Sequence, residues 1–434
     1  VSGSRETAGP LATSRRRLLF GVAGGAAAAA IGGAMPASAE KRAGQVTDAP
    51  ESDQARQSQP FYGEHQAGVV SARPAAGMIA SFDVLAKTPA EVERLFRTLT
   101  DRFRFLTAGG PVPELDPKLP PADSGILGPV VAPDNLTMTA SLGNSFFADR
   151  DWLSALKPAR LQRMTKFRND ALDAELCHGD LSLQICANTP DANIHALRDI
   201  IKTLPDLLVI RWKQEGTVPI MAPKPDGSTE SARNFLGFRD GSANPDSRDA
   251  AAMNRIVWVD DGDGDEPRWT KGGTYQVVRI IRNLVERWDR TPLGEQERII
   301  GRRKASGAPF DGRTEADAPD FRKDADGAAT PLDAHIRLAN PRDAASQRNL
   351  MLRRPFNFSN GVMKNGQLDQ GLLFIAYQAD LEAGFITVQK RLDGEPLEEY
   401  IKPIGGGYFF TLPGVTGPDD FLGRSLIEAA TAKS

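Results

Sequence analysis

The run Leu181-Ser182-Leu183-Gln184-Ile185-Cys186-Ala187 alternates apolar residues with small or polar ones, the period-two pattern of a half-buried strand. A helix-like segment, Asp191 to Leu204, follows almost at once. Upstream, Gly77-Met78-Ile79-Ala80-Ser81-Phe82-Asp83-Val84 reads as a strand, and so does Leu136-Thr137-Met138-Thr139-Ala140-Ser141-Leu142. Between them, Thr88 to Phe105 carries Val92, Leu95, Phe96, Leu99 and Phe103 at helical spacing, with Thr88 placed to cap the start.

The order strand, helix, strand, strand, helix, strand suggests a ferredoxin-like α+β unit. Gly216 to Ser231, with Pro219, Pro223, Pro225 and Gly227, reads as a crossing linker. Beyond it, Ile256-Val257-Trp258-Val259, Thr274 to Ile280, Gly371 to Gln378 and Gly407 to Leu412 are strand candidates. Asn283 to Trp288 and Leu293 to Gly301 look helical. The expected fold is α+β, with two ferredoxin-like domains of the dimeric α+β barrel type, at 59–220 and 221–434. No repeat is visible in the sequence itself, so the duplication is an expectation about structure.

A chain of 434 residues suits two domains with flexible ends. Its net charge of -3 supplies no basic field for nucleic acid. Two cysteines, Cys177 and Cys186, make no disulfide framework, and they read as small buried thiols in neighbouring strand segments. The histidines are His65, His178, His195 and His335, so any mechanism needing a histidine chooses among four. A Cys/His zinc site is nearly excluded.

The N-terminus reads Ser14-Arg15-Arg16-Arg17-Leu18-Leu19-Phe20, then an Ala/Gly-rich apolar run, then Ala37-Ser38-Ala39. This is the pattern of a twin-arginine signal peptide over 1–39, with a disordered linker expected over 40–58. The apolar run is too short for a stable membrane span, and a periplasmic or extracellular location is expected. Twin-arginine export moves folded proteins, commonly with a cofactor already inserted.

Two segments stand out chemically. The first is Asn234-Phe235-Leu236-Gly237-Phe238-Arg239-Asp240-Gly241-Ser242-Ala243-Asn244-Pro245. Taken alone, its Asp240-Gly241 pair reads as a common turn. The second is Ala334-His335-Ile336-Arg337-Leu338-Ala339-Asn340-Pro341-Arg342, followed by Leu350-Met351-Leu352-Arg353-Arg354-Pro355-Phe356. Taken alone, His335 reads as a surface residue. Asp261-Gly262-Asp263-Gly264-Asp265 resembles part of a calcium loop, but Gly272 stands where the twelfth-position Glu belongs, so it reads as an acidic turn.

Together, Gly237 to Pro245, His335 and Leu352-Arg353-Arg354 resemble the dye-decolourising peroxidase family, in its deferrochelatase/peroxidase branch. Phe61 to Val69, Gly272 to Val277, Ile300 to Pro309 and Gly405 to Phe410 fit as well, so the resemblance spans roughly 58–425. It implies haem b in the second half, with His335 as the proximal iron ligand; the other ring nitrogen is expected to donate to a carboxylate or carbonyl, with Glu399 the candidate partner. It implies Asp240 as the distal acid/base and Arg353 as the residue that stabilises charge as the O–O bond breaks. Gly241, Ser242, Ala243 and Asn244 are expected on the haem face. Asn340, Pro341 and Arg342 are expected near the haem, with Arg342 on a propionate. His65 is expected to be structural or cavity-lining, His178 and His195 ordinary strand and helix residues. Trp258, Trp269, Trp288 and Tyr377 are candidates for electron relay, against the blander reading of core residues. Arg239 stands where the family often has Lys. Pro355 follows Arg354, where some branches place a polar residue.

The leading activity implied is peroxide reduction with oxidation of dyes or phenols. The alternative is release of iron from haem with the porphyrin left intact. A haem carrier without turnover is disfavoured, because a carrier needs no distal acid or charge clamp. The expected partners are hydrogen peroxide, an organic donor, other components of an iron-uptake system and a second copy in a homodimer.

Overall fold

Ala76–Val84 (β1), Thr137–Gly143 (β2), Leu181–Ala187 (β3) and Leu208–Thr217 (β4) form an antiparallel sheet in the order β4-β1-β3-β2. These strands belong to a computed structural model that describes residues 53–219, 230–260 and 264–432. Two helices, α1 (Pro89–Ala108) and α2 (Pro190–Thr203), cross over between strands. Thr274–Asn283 (β5), Phe356–Val362 (β6), Leu368–Gln378 (β7) and Ile401–Thr411 (β8) form a second sheet in the order β8-β5-β7-β6. The two orders match position for position: first strand beside third and fourth, third beside second.

The sheets join at both ends. β8 pairs with β2 through Phe409, Phe410 and Thr411, and β4 meets β6 through Thr217 and Asn357. The result is a closed eight-stranded barrel, which leaves no long edge open to another chain. The two-residue strand Leu352–Arg353 adds to β7 beyond the reach of β6.

Local chemistry explains most elements. The Thr88 hydroxyl accepts from the Glu91 N–H at 3.3 Å, and the Glu91 carboxylate accepts from the Thr88 N–H at 3.0 Å, a reciprocal cap on α1. Val92, Leu95, Phe96, Leu99 and Phe103 are all buried beneath it. In β3 the alternation is present but the strand is buried on both faces, against the half-buried expectation. Leu181, Leu183 and Ile185 pack with the apolar faces of α1 and α2. The other face lines the barrel interior, where Gln184 accepts from the Tyr377 hydroxyl at 2.8 Å and donates to the Gly68 carbonyl at 2.9 Å.

Several expectations need correction. Ile256 to Val259 is not a strand. Asp249 caps a helix, Ala250–Ile256, by accepting from the Ala252 N–H at 3.0 Å, and Val257 to Val259 continue as buried coil. A short apolar run looks alike in both settings. The linker expected over 40–58 has an ordered end: Asp53–Arg56 is a 3-10 turn, and the Ala55 and Gln57 carbonyls accept from Asp134 and Asn135. His178 is in a left-handed turn (φ 63°) ahead of β3, not in a strand. Cys177 and Cys186 are free and buried, but only Cys186 is in a strand. The signal peptide, linker residues 40–52, residues 220–229 of the crossing segment and 261–263 of the acidic turn lie outside the described residues.

In the second half, Leu293–Ile300 (α3) ends at Gly301, His335–Ala339 forms a one-turn helix (α4), and Thr387–Leu392 (α5) follows a π-helical turn, Glu382–Ile386. Among the described residues no helix is long and apolar enough to cross a membrane.

Candidate active site

A cavity of about 290 Å³ is lined almost wholly by residues beyond 230, Asn169 being the exception. The Asn234 to Pro245 segment builds one wall. Asn234 Oδ1 accepts from the Leu236 and Phe238 N–H groups, Gly237 turns the chain at φ 84°, and the Asp240 N–H donates to the Ala232 carbonyl at 3.0 Å. This tight hairpin delivers Asp240, Ser242 and Ala243 to the cavity. Ala243 is held at φ 58° and Arg342, on the same cavity, at φ 63°. Left-handed backbone at residues other than glycine costs about 1–2 kcal/mol each, and such strain gathers at ligand sites.

Arg353 reaches the cavity because side chains alternate along its short strand. Leu352 joins the buried cluster of the barrel interior, whereas Arg353 lines the cavity. Asn244 fixes the Arg353 backbone from both sides, accepting its N–H at 2.9 Å and donating to its carbonyl at 3.0 Å. Arg353 Nη2 donates to the Ser242 carbonyl at 2.9 Å, and Nη1 lies 3.8 Å from Asp240 Oδ1. Burial raises the Asp240 pKa above the ordinary carboxylate value, although Arg353, then Arg73 and His335, oppose it.

His335 opens α4. Its Nδ1 lies 2.7 Å from Glu395 Oε2, so the neutral imidazole donates there and leaves Nε2 free. The side chain is 33 % exposed, and it lines the cavity. Burial works to lower its pKa, but the Glu395 carboxylate outweighs that and holds it above the usual histidine value. The partner is therefore Glu395, not the expected Glu399. Glu399 is exposed, and its carbonyl accepts from Arg287. Glu395 is turned inward after Gly394, which takes φ 87°.

The structure thus brings Asp240, Ser242, Ala243, His335, Asn340, Arg342 and Arg353 to one cavity. Gly241, Asn244 and Pro341 are not among its lining residues. Gly241 lies against Ser231, where a Cβ would stand 2.8 Å from the hydroxyl, and Asn244 acts on Arg353. His65 is not in the cavity either. It stacks on Trp258 at 3.7 Å and bonds the Gly272 carbonyl. Trp258, Trp269, Trp288 and Tyr377 are all buried. Sequence reasoning missed Glu395, Arg302 and the apolar wall residues Leu236, Phe238, Leu372 and Phe374. Glu395 stands beside a glycine turn after α5, but that turn does not mark its contact with His335.

These residues fit a haem. A single free imidazole nitrogen suits a metal whose porphyrin brings the other nitrogens. The apolar walls suit a macrocycle, and Arg342 lines the cavity with no ion-pair partner among the described residues, as a propionate requires. A barrel of paired ferredoxin-like halves, with a histidine–carboxylate pair and an aspartate–arginine pair lining one such cavity, defines a haem-dependent peroxidase.

Comparison with known proteins agrees. The N-terminal model of the Dyp-type peroxidases matches residues 66–217, and the C-terminal model matches 231–416. The chain is 55% identical to proteins named deferrochelatase from Escherichia coli O6:K15:H31 and Yersinia pseudotuberculosis. The two alignments cover 95% and 96% of this chain, and 97% and 95% of those proteins. Among solved structures, a DyP-type peroxidase from Cellulomonas bogoriensis superposes with a TM-score of 0.76 at 34% identity, covering 86% of this chain and 99% of that one. Ferric DtpA from Streptomyces lividans gives 0.76 at 32% identity, over 88% and 100%. The chain belongs to the dye-decolourising (Dyp-type) peroxidase family.

Proposed function

We propose that the protein binds haem b through His335 and reduces hydrogen peroxide on the side of the cavity that holds Asp240 and Arg353. Bound haem supplies the redox chemistry that converts peroxide to water and draws two electrons from a donor such as a dye or phenol. The chain's own residues do the rest. Glu395 fixes the imidazole ring and raises its basicity. Asp240, when ionised, takes a proton from hydrogen peroxide and returns it to the oxygen that leaves as water. The Arg353 guanidinium stabilises negative charge on that departing oxygen. Arg342 holds a propionate, with Asn340 beside it.

The observation that carries this reading is one cavity lined by both pairs, His335–Glu395 at 2.7 Å and Asp240–Arg353 at 3.8 Å. The absorption spectrum of the purified protein tests it. A Soret band is expected in the wild type and not in His335→Ala. Asp240→Ala is expected to keep the band and lose peroxide turnover by about 10²–10⁴-fold, the usual worth of a positioned acid/base. Wild-type protein without a Soret band, or full turnover in Asp240→Ala, would sink the proposal.

A second reading is favoured by the 55% identity to proteins named deferrochelatase: release of iron from haem with the porphyrin left intact. Recovery of protoporphyrin IX after incubation with haem would establish it, and cleaved porphyrin would exclude it. Arg15-Arg16, followed by Ala37-Ser38-Ala39, supports export by the twin-arginine route to a periplasmic or extracellular location. Iron-uptake components as partners, and a homodimer, belong to the same proposal.

A further inference from the structure

Glu315 has no part in the reading above, yet it meets the distal turn at two residues on either side of Asp240. Its Oε2 accepts from Arg239 Nη1 at 2.6 Å, and its Oε1 accepts from the Ser242 hydroxyl at 2.9 Å. The Glu315 carbonyl is held in turn by Arg302 Nη1 at 3.0 Å. Ser242 then passes the contact on, because its carbonyl takes Arg353 Nη2 at 2.9 Å.

We propose that Glu315 is a positioning residue of the distal site, setting the Arg353 guanidinium through Ser242. The inference rests on the assignment of Arg353 to peroxide chemistry. Asn244 fixes the Arg353 main chain, but the guanidinium lies at the end of a flexible side chain. Among the described residues its hydrogen-bond anchor is the Ser242 carbonyl, with the Asp240 carboxylate farther off at 3.8 Å. The position of that carbonyl depends on the Ser242 hydroxyl, which Glu315 holds. Charge balance does not account for the arrangement, since Arg239 has a second carboxylate, Glu230, at 2.8 Å. The Ser242 bond is what Glu315 alone supplies. Its side chain is 16 % exposed. Burial would raise its pKa, but hydrogen bonds from Ser231, Arg239 and Ser242 prevail and keep it ionised below the ordinary glutamate value.

The test uses the haem-loaded protein and three variants, Glu315→Gln, Ser242→Ala and Ser242→Thr. Two readouts stand apart from turnover: the crystal-structure position of the Arg353 guanidinium, and the dissociation constant of fluoride from the haem iron read optically. A positioned guanidinium holds such an anion and a misplaced one does not. Glu315→Gln and Ser242→Ala are each expected to shift the guanidinium from the Ser242 carbonyl. Each should weaken fluoride, and lower kcat/KM for peroxide, by about tenfold, as loss of a positioned charge contact does. KM for the organic donor should not change. Ser242→Thr, which keeps the hydroxyl, should restore all three. The Glu315→Gln/Ser242→Ala double variant should be no worse than either single, because both act on one contact.

Multiplying losses in the double variant would overturn the proposal, as would an unmoved guanidinium with unchanged fluoride affinity in Glu315→Gln. Arg353→Leu separates this from the underlying reading. If Arg353→Leu leaves peroxide turnover intact, the assignment of Arg353 fails, and the proposal fails with it. If Arg353→Leu abolishes turnover while Glu315→Gln moves neither readout, only the Glu315 proposal falls.

Discussion

Asp240 is half-buried beside one guanidinium 3.8 Å away, and the loss of solvent outweighs that charge, so its pKa lies above the ordinary aspartate value. Two consequences have opposite signs. As a base it works only when ionised, so the acid limb of kcat/KM for peroxide is expected above pH 3.8, the free aspartate value. Asp240→Asn should remove that limb together with most of the turnover. For stability, a carboxylate whose folded pKa is raised costs nothing when both states are protonated, and penalises the fold once pH rises through the folded value. Asp240→Asn is therefore expected to melt higher than wild type at pH 7, with the gain vanishing below pH 3.8. Melting curves at the two pH values, in the same haem-loaded state, check it. A lower melting temperature at pH 7 would refute the sign. Asp240, Arg353 and His335 were legible in the sequence because their motifs recur across a family in fixed order. Glu395 and Glu315 were not. Each meets its partner 60 or more residues away, and no local pattern marks such a contact. The expected glutamate, Glu399, is exposed four residues on, whereas Glu395 is buried against His335.

α3 matters to the site through where it stops. Gly301 ends it at φ 92°, and a Cβ there would stand 2.7 Å from Ile336 Cγ1 and 3.2 Å from the Ala334 Cβ. Those residues flank His335, so the missing side chain lets α4 pack against the end of α3. Gly301→Ala adds left-handed strain of about 1–2 kcal/mol and presses on both neighbours of the histidine. The expected outcome is a lower melting temperature together with weaker haem retention, read by haem transfer to an acceptor globin. Unchanged transfer rates alongside a lowered melting temperature would detach α3 from the site. Most elements were readable from the sequence: β1, β2, β3, α1 and α2 all fall on segments read there as strand or helix. β4 and β6 did not stand out. β4 mixes Arg211, Lys213 and Glu215 into its run, and its buried residues are single ones between exposed neighbours. β6 loses its apolar pattern after Phe358. β4 is ordered chiefly by β1 and β6 by β7, each within its own half, and the cross-half pairing of Thr217 with Asn357 leaves no mark in either local pattern.

At the scale of the whole molecule, the two halves are one barrel, and the seam between β4 and β6 is its narrowest join, a single residue pair, Thr217 with Asn357. The neighbour of Asn357, Phe356, is buried inside the barrel, and its ring lies over Gly77 of β1. A Cβ at Gly77 would stand 2.4 Å from Phe356 Cζ, closer than any real contact, and a buried ring between packed strands has little room to yield. Gly77→Ala is therefore an overpacking substitution that sets the first half against the second. It is expected to cost about 1–3 kcal/mol, which for a chain of this size lowers the melting temperature by about 1–4 °C. Phe356→Leu removes the opposing ring edge and should recover part of that loss, because residues in direct contact do not act additively. Calorimetry of the haem-loaded protein, with the Soret band followed in parallel, tests the coupling. A single transition is expected, with haem lost as the whole barrel melts, although Gly77 belongs to the half without the site. If the first half melted early and left the Soret band in place, the seam would be a contact between two independent domains rather than the closure of one barrel.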